Sequence, residues 1–136
     1  MILRQTMFCG LLMLVCRPIL AQEKPENFNE FVFKFLTDST FQVHRIRFPL
    51  LTARLNLETL SLDTLVESRI SWRFLGNPHP NENSRMQIYD NFERVLRQTG
   101  ERVVSFEGIE NGIDSSLYFK LIKGKWYLVR FVDRST

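Results

Sequence analysis

The clearest structural pattern in this chain is SSLYFKLIKGKWYLVRFV, residues 115–132. Apolar and mostly polar side chains alternate from Ser115 to Ile122, which is the period of a β-strand. Lys123-Gly124 can form a two-residue hairpin turn, because glycine tolerates positive φ. Lys125–Val132 is then the returning strand, and its largely apolar faces predict a central or helix-covered position. Strict alternation places four of its side chains on one face: Trp126, Leu128, Arg130 and Val132.

Further strands are predicted on the N-terminal side of this hairpin. Arg102–Glu107 (RVVSFE) is a short run of strand-forming residues, and Leu50–Glu58 alternates apolar and polar side chains. Val66–Phe74 alternates in the same way, so we predict a strand there as well. Met86–Leu96 instead has most of its apolar residues at helical spacing, and for this segment we predict a helix.

The segment after residue 26 has the pattern of an amphipathic helix. Asn27 can cap this helix, with Glu30 three residues later. Asp38-Ser39-Thr40 either ends the helix or starts a second short one. Helices followed by antiparallel strands make the predicted fold class α+β. The helical stripe recurs at the spacing i, i+3, i+4, i+7 and i+8, with Phe28, Phe31, Val32, Phe35 and Leu36.

The N-terminus has the order of a secretion signal. Arg4 precedes an unbroken apolar run, Met7–Cys16, and Ala21 offers a small residue for cleavage. A membrane-spanning helix needs about 20 apolar residues, so this shorter run predicts no integral span. We therefore divide the chain into a signal peptide, residues 1–21, and a single α+β domain, residues 22–136, exported to the periplasm or the cell exterior. Lipoprotein processing fits less well, because no small residue precedes either cysteine.

Charge and cysteine content limit the possible partners. The chain has 18 basic and 15 acidic residues, and removal of residues 1–21 takes away Arg4, Arg17 and both cysteines. The remaining 16 basic residues nearly balance the 15 acidic ones. A near-neutral domain attracts the phosphate backbone weakly, so we expect no nucleic-acid partner. Without cysteine, the exported domain can form no disulfide.

The chain contains the segments FNEFVFKFLTDSTFQVHRIRFPL, residues 28–50, and YFKLIKGKWYLVRFVDRS, residues 118–135. These two segments resemble an uncharacterised family of exported Bacteroidetes proteins, a domain of unknown function. The resemblance implies a cystatin-like or nuclear-transport-factor-like cone, in which N-terminal helices pack on a curved antiparallel sheet and leave a concave pocket. It implies no established activity, substrate or catalytic residue.

No catalytic or metal constellation is evident. Asp90 with Glu93, or Glu107 with Glu110, could act as acid and base, but such pairs are common on solvated surfaces. The two histidines, His44 and His79, are far apart in the sequence, and metal sites need clustered ligands. We therefore predict no catalytic residue, no metal and no cofactor.

The aromatic residues and two arginines are the remaining candidates for a site. Aromatic side chains with a few polar groups suit a pocket for a small apolar molecule, and an arginine could contact an acidic one. The alternative is that the aromatics are simply core and that the arginines pair with acids such as Asp63, Glu107 or Asp133. The candidate ligand-binding residues are Arg45, Trp72, Tyr118, Trp126 and Arg130.

Three functions are compatible with these observations. The first hypothesis is a non-catalytic, exported small-ligand-binding module, which predicts a concave apolar pocket with one or two polar groups. The second is a small enzyme that uses the cone as an active-site cup, and it predicts a buried carboxylate or His44 near another titratable group. The third is an interaction or self-assembling protein, such as a homodimer, with an exposed apolar patch.

Overall fold

A computed structural model describes residues 23–76 and 83–136. The predicted signal peptide, residues 1–21, and His79 lie outside the described residues. No helix in the described ranges is long and apolar enough to cross a membrane. Two helices precede six strands in chain order: α1 (Phe28–Thr37), α2 (Ser39–His44), β1 (Ile46–Asn56), β2 (Ser61–Glu67), β3 (Ser84–Tyr89), β4 (Glu101–Gly108), β5 (Asp114–Ile122) and β6 (Lys125–Asp133).

The cap at Asn27, the change of helix near Asp38 and the buried apolar stripe of α1 are all confirmed. The Asn27 side chain caps α1 by accepting a hydrogen bond from the backbone N–H of Glu30 at 3.1 Å. Asp38 ends α1 and also caps α2, because its carboxylate accepts a hydrogen bond from the N–H of Phe41 at 2.9 Å. All five apolar positions of the predicted stripe are buried: Phe28, Phe31, Val32, Phe35 and Leu36.

The six strands form one sheet with the order β2-β1-β6-β5-β4-β3. The predicted α+β class and the C-terminal hairpin are confirmed, and β6 lies centrally between β1 and β5. Lys123 and Gly124 make the hairpin turn with φ values of 49° and 77°. Four of the five strand pairs are antiparallel, whereas β1 and β6 run parallel.

Helix α1 packs on one face of the sheet and forms an aromatic core there. Phe119 of β5 is fully buried at the centre. Its ring meets those of Phe28, Phe31 and Phe35 edge to face, with centroids 5.2–5.6 Å apart. Such contacts add to the free energy gained by burying apolar area. We call this side of the sheet the helix face and the opposite side the helix-free face.

Two of the predicted elements are wrong. The segment Val66–Phe74 is not a strand: β2 ends at Glu67, where the Ser68 and Ser71 side chains hydrogen-bond to each other and to nearby backbone and form a turn. The segment Met86–Leu96 is not a helix, because its first part pairs with β4 as the edge strand β3. Pairing with a neighbouring strand overrides a local helical spacing.

A β-bulge in β6 corrects the predicted face of Arg130. Tyr118 pairs with Arg130 but Phe119 pairs with Leu128, so Val129 is an extra residue in β6. Because a bulge shifts the alternation by one residue, Leu128 lies on the helix face and Arg130 on the helix-free face. The predicted common face for Trp126, Leu128, Arg130 and Val132 is therefore wrong.

The helix-free face is covered in part by the connection between β3 and β4, residues 90–100. Phe92 of this connection packs edge to face on Tyr118, with ring centroids 5.3 Å apart. Arg94 donates hydrogen bonds to the hydroxyls of Ser105 and Ser116, each at 3.2 Å. Both serines are buried although they lie on the face opposite the helices.

Candidate functional site

An apolar cavity lies between α1 and the helix face of the sheet, and we call it the α1 cavity. Its volume is about 260 Å³. Of the described residues that line it, Ser115 alone has a polar side chain, and none is titratable. The cavity is therefore suited to an apolar molecule rather than to proton transfer. Its described lining consists of Leu36, Phe74, Leu75, Gly76, Phe106, Ile113, Ser115, Leu117 and Phe131.

Three adjacent strands supply the floor of the α1 cavity. Phe106, Leu117 and Phe131 come from β4, β5 and β6, and the cross-strand register places all three on the helix face. Leu36, in the last turn of α1, forms the opposite wall. Phe131 reaches this face only because the bulge at Val129 shifts the alternation of β6.

Gln42 holds the segment that closes one side of the cavity. Its side chain is fully buried, and its amide nitrogen donates to the carbonyls of Phe35 at 2.9 Å and Leu75 at 3.1 Å. Its amide oxygen accepts from the N–H of Leu75 and from the indole N–H of Trp72, both at 3.0 Å. All four hydrogen-bonding positions of this side-chain amide are thus used.

Arg45 is part of an ion pair with Glu26 and not of the α1 cavity. Its two terminal nitrogens donate to the two carboxylate oxygens of Glu26 at 2.8 and 2.9 Å. The same carboxylate accepts from the backbone N–H of Trp126 at 2.9 Å. Burial raises the pKa of Glu26, but these hydrogen bonds and the nearby positive charges outweigh it and hold that pKa below its ordinary value.

The two tryptophans occupy different parts of the helix face. The Trp126 ring is buried against Phe28, with centroids 4.9 Å apart, and its indole N–H donates to the carbonyl of Glu26. Trp72, in the segment after β2, packs on Phe131 of β6, with ring centroids 6.4 Å apart. Trp72 is thus in contact with the cavity lining without lining the cavity itself.

Tyr118 and Arg130 lie together on the helix-free face. The Arg130 guanidinium stacks over the Tyr118 ring, 5.2 Å from its centroid. The structure therefore joins Tyr118 with Arg130 and Arg45 with Trp126, and it does not gather the five predicted ligand-binding residues in one pocket. Sequence reasoning missed the cavity lining, although the alternation of β5 already placed Leu117 on an apolar face.

The candidate acid–base and metal residues are dispersed. Asp90 faces Arg102 at 3.5 Å, and Glu93 pairs with Arg97 at 3.0 Å on the surface. His44 is exposed, and its ring nitrogen Nδ1 is 2.8 Å from the carbonyl of Thr40. Across residues 23–76 and 83–136, no three histidine, cysteine, aspartate or glutamate side chains cluster in a way that could hold a metal ion.

Comparisons with known proteins agree with this architecture. A protein-family model matches residues 26–134, and no curated protein matches the chain. The crystal structure of an NTF2-like protein from Bacteroides fragilis is 26% identical with a TM-score of 0.61, over 88% of this chain and 51% of that one. This chain thus spans about half the length of that protein. An NMR structure of a Bacteroides uniformis protein is 22% identical with a TM-score of 0.54, over 79% and 76% of the two chains.

Proposed function

We propose that this chain, which belongs to a family of NTF2-like proteins, is a non-catalytic binding protein for a small apolar molecule held in the α1 cavity. The observation that carries the proposal is the composition of that cavity. Apolar side chains from α1, β4, β5 and β6 surround about 260 Å³, close to the lower end of the volumes of small-molecule sites, ~300 Å³. The hydroxyl of Ser115 is available to orient a ligand that carries one polar group.

The lining favours an apolar ligand over an acidic one. An acid would need a cation inside the cavity, because burying an unpaired carboxylate is costly. Arg45 is committed to Glu26 and Arg130 lies on the helix-free face, so neither meets this requirement. A binding role is also favoured over an enzymatic one, since the described lining offers no general acid or base.

The proposal can be tested by titrating the purified chain with small apolar compounds such as naphthalene, indole, octanol and decanol. We expect at least one to raise the melting temperature and to shift the methyl NMR signals of Leu36 and Leu117. Ser115→Leu adds apolar bulk inside the cavity and should abolish both effects. Ser39→Leu, the same change at an exposed position of α2, is the matched control and should bind normally. Absence of binding, or binding that survives Ser115→Leu, would contradict the proposal.

We also propose that the chain is exported after cleavage following Ala21. The earliest described side chain with a tertiary role is Glu26, five residues beyond that bond. Cleavage there would leave the contacts of Glu26 with Arg45 and Trp126 intact. N-terminal sequencing of the protein recovered from the periplasm of a Gram-negative host should begin at Gln22. Recovery of an uncleaved chain in the cytoplasm would count against export.

A second candidate function, self-association, is favoured by the edge strand β2. This strand exposes three large apolar side chains on its two faces: Leu62, Leu65 and Val66. An exposed edge with apolar side chains is a template for pairing with another strand, and two copies of β2 could pair antiparallel across a two-fold axis. Sedimentation velocity should then reveal a dimer that Val66→Lys dissociates. A monomer at every concentration would contradict this role.

A further inference from the structure

A polar groove lies on the helix-free face, on the other side of the sheet from the α1 cavity. Its volume is about 580 Å³, and we call it the Arg94 groove. The groove is formed by the last residues of β4, by β5 from its first residue to Tyr118, by the segment after β6 and by one residue of the β3–β4 connection. Its described lining is Arg94, Glu107, Gly108, Ile113, Asp114, Tyr118 and Arg134.

Arg94 is held in place by a rigid local structure. Its backbone adopts a positive φ of 58°, which is uncommon for any residue other than glycine. The fully buried Asn91 maintains this turn, because its side chain bonds the backbone of Val95 and the carbonyl of Arg97. Buried hydrogen bonds therefore hold the backbone of Arg94 in this turn.

The guanidinium of Arg94 is oriented but not neutralised. One of its terminal nitrogens donates to Ser105 and Ser116, and its carbon lies 4.8 Å from the centroid of the Tyr89 ring. The remaining nitrogens have no hydrogen-bond partner among the described residues. Within residues 23–76 and 83–136, no acid lies within ion-pairing distance of Arg94 or Arg134. Both cations therefore keep donors for a ligand.

The groove also carries two carboxylates. Glu107 and Asp114 are direct cross-strand partners, and both lie on the helix-free face. Two like charges in this position repel each other. In the part of the chain that the structure describes, neither carboxylate accepts a side-chain hydrogen bond or forms an ion pair. A ligand with a positive group would relieve the repulsion between Glu107 and Asp114.

We propose that the Arg94 groove binds a free amino acid, with the ligand carboxylate on Arg94 and Arg134 and the ligand ammonium facing Glu107 and Asp114. A simple anion would bind the two arginines but would be repelled by the two carboxylates. A simple cation would bind the two carboxylates but would be repelled by the two arginines. A zwitterion matches both pairs of charges at once. The side chain of the amino acid would lie against Tyr118 and against Ile113, which precedes β5 and also lines the α1 cavity.

The test is an NMR titration of the isotope-labelled full chain with each standard L-amino acid. We expect at least one amino acid to shift the side-chain Nε–H signal of Arg94 and the amide signals of Glu107 and Asp114. For that amino acid, the matching acid without the amine and the matching amine without the acid should each bind at least about tenfold more weakly. Tenfold is the loss expected when one charge-assisted contact is removed.

Variants at the groove and matched controls complete the experiment. Arg94→Gln and Arg134→Gln should each weaken binding about tenfold or more. Arg134→Gln removes no hydrogen bond within the described ranges, so we expect this variant to fold normally. A loss of binding in Arg134→Gln can therefore be attributed to the groove itself. Arg97→Gln removes the same charge from the same connection as Arg94→Gln and should bind normally. The proposal is overturned if no amino acid binds, if the acid alone binds equally well, or if both groove variants retain full affinity.

Discussion

Replacing Gln42 by leucine tests how the fold holds the wall of the α1 cavity. Gln42 of α2 is fully buried between α1 and the segment that contains Trp72 and Leu75. Leucine has a similar volume, so the substitution leaves no large void. It removes two donors and two acceptors from an enclosed place, and the backbone and indole groups that they served lose their partners.

The expected loss of stability follows from those four groups. An unsatisfied buried polar group costs ~1–3 kcal/mol, and a typical hydrogen bond contributes ~1 kcal/mol net. Trp72 and Leu75 are only partly buried, so water can reach their groups and reduce the penalty. Phe35, whose carbonyl also loses a partner, is fully buried. We therefore expect Gln42→Leu to lower the free energy of unfolding by about 3 kcal/mol, a large part of the ~5–15 kcal/mol of a typical domain.

Urea denaturation followed by circular dichroism measures this loss. Gln98→Leu makes the same change at an exposed position and should alter the free energy of unfolding by less than ~0.5 kcal/mol. If Gln42→Leu costs less than ~1 kcal/mol, the four hydrogen bonds contribute no more than one typical bond does. The reasoning that Gln42 secures the Trp72–Leu75 segment would then be refuted.

Three further substitutions test other parts of the fold by the same urea assay. Phe119→Ala should lower the free energy of unfolding by ~3–5 kcal/mol, because it leaves a cavity in the aromatic core. Phe33→Ala, on the exposed side of α1, should change the free energy of unfolding by no more than ~0.5 kcal/mol. Similar losses for the two variants would contradict this account. The pKa of Glu26 is lowered, so its ion pair with Arg45 stabilises the fold at neutral pH. This stabilisation is lost as the pH falls below ~4.3 and through the lowered pKa. Glu26→Gln should flatten this acid dependence of the free energy of unfolding, and an unchanged profile would be evidence against the ion pair. Gly124→Ala should lower the free energy of unfolding by ~1–2 kcal/mol through its positive φ alone, because nothing lies within 4 Å of the added Cβ. Gly100→Ala is the control and should leave the free energy of unfolding unchanged. An unchanged stability of Gly124→Ala would rule out the turn conformation.

Local patterns in the sequence were sufficient for the elements whose structure depends on local interactions. The helix cap at Asn27 and the turn at Lys123-Gly124 follow from side-chain and backbone chemistry within a few residues. The buried stripe of α1 follows from its period, because one helix lies on one sheet. These features were predicted correctly for that reason.

Two of the failures, at Met86–Leu96 and at Arg45, have a different cause, which is that partners far along the chain decide the outcome. Met86–Tyr89 is a strand because β4 lies beside it, with cross-strand partners 14 to 20 residues later. Arg45 is paired with Glu26, which precedes α1 and lies 19 residues away in the sequence. Gln42 reads as one polar residue of a short helix, yet its partners in the 72–75 segment are about 30 residues away. The local spacing of apolar and polar residues carries no information about partners so far along the chain.

The bulge at Val129 links the fold to both proposed sites. A regular β6 that kept Leu128 on the helix face would also point Arg130 there, toward the helices, and would turn Phe131 to the opposite side. The apolar cavity would then lose one wall, and a charged side chain would replace it. By inserting one residue, the chain keeps apolar side chains beneath α1 and places Arg130 beside Tyr118. The face beneath α1 can therefore be apolar while the opposite face carries a charged groove, although both belong to the same six strands.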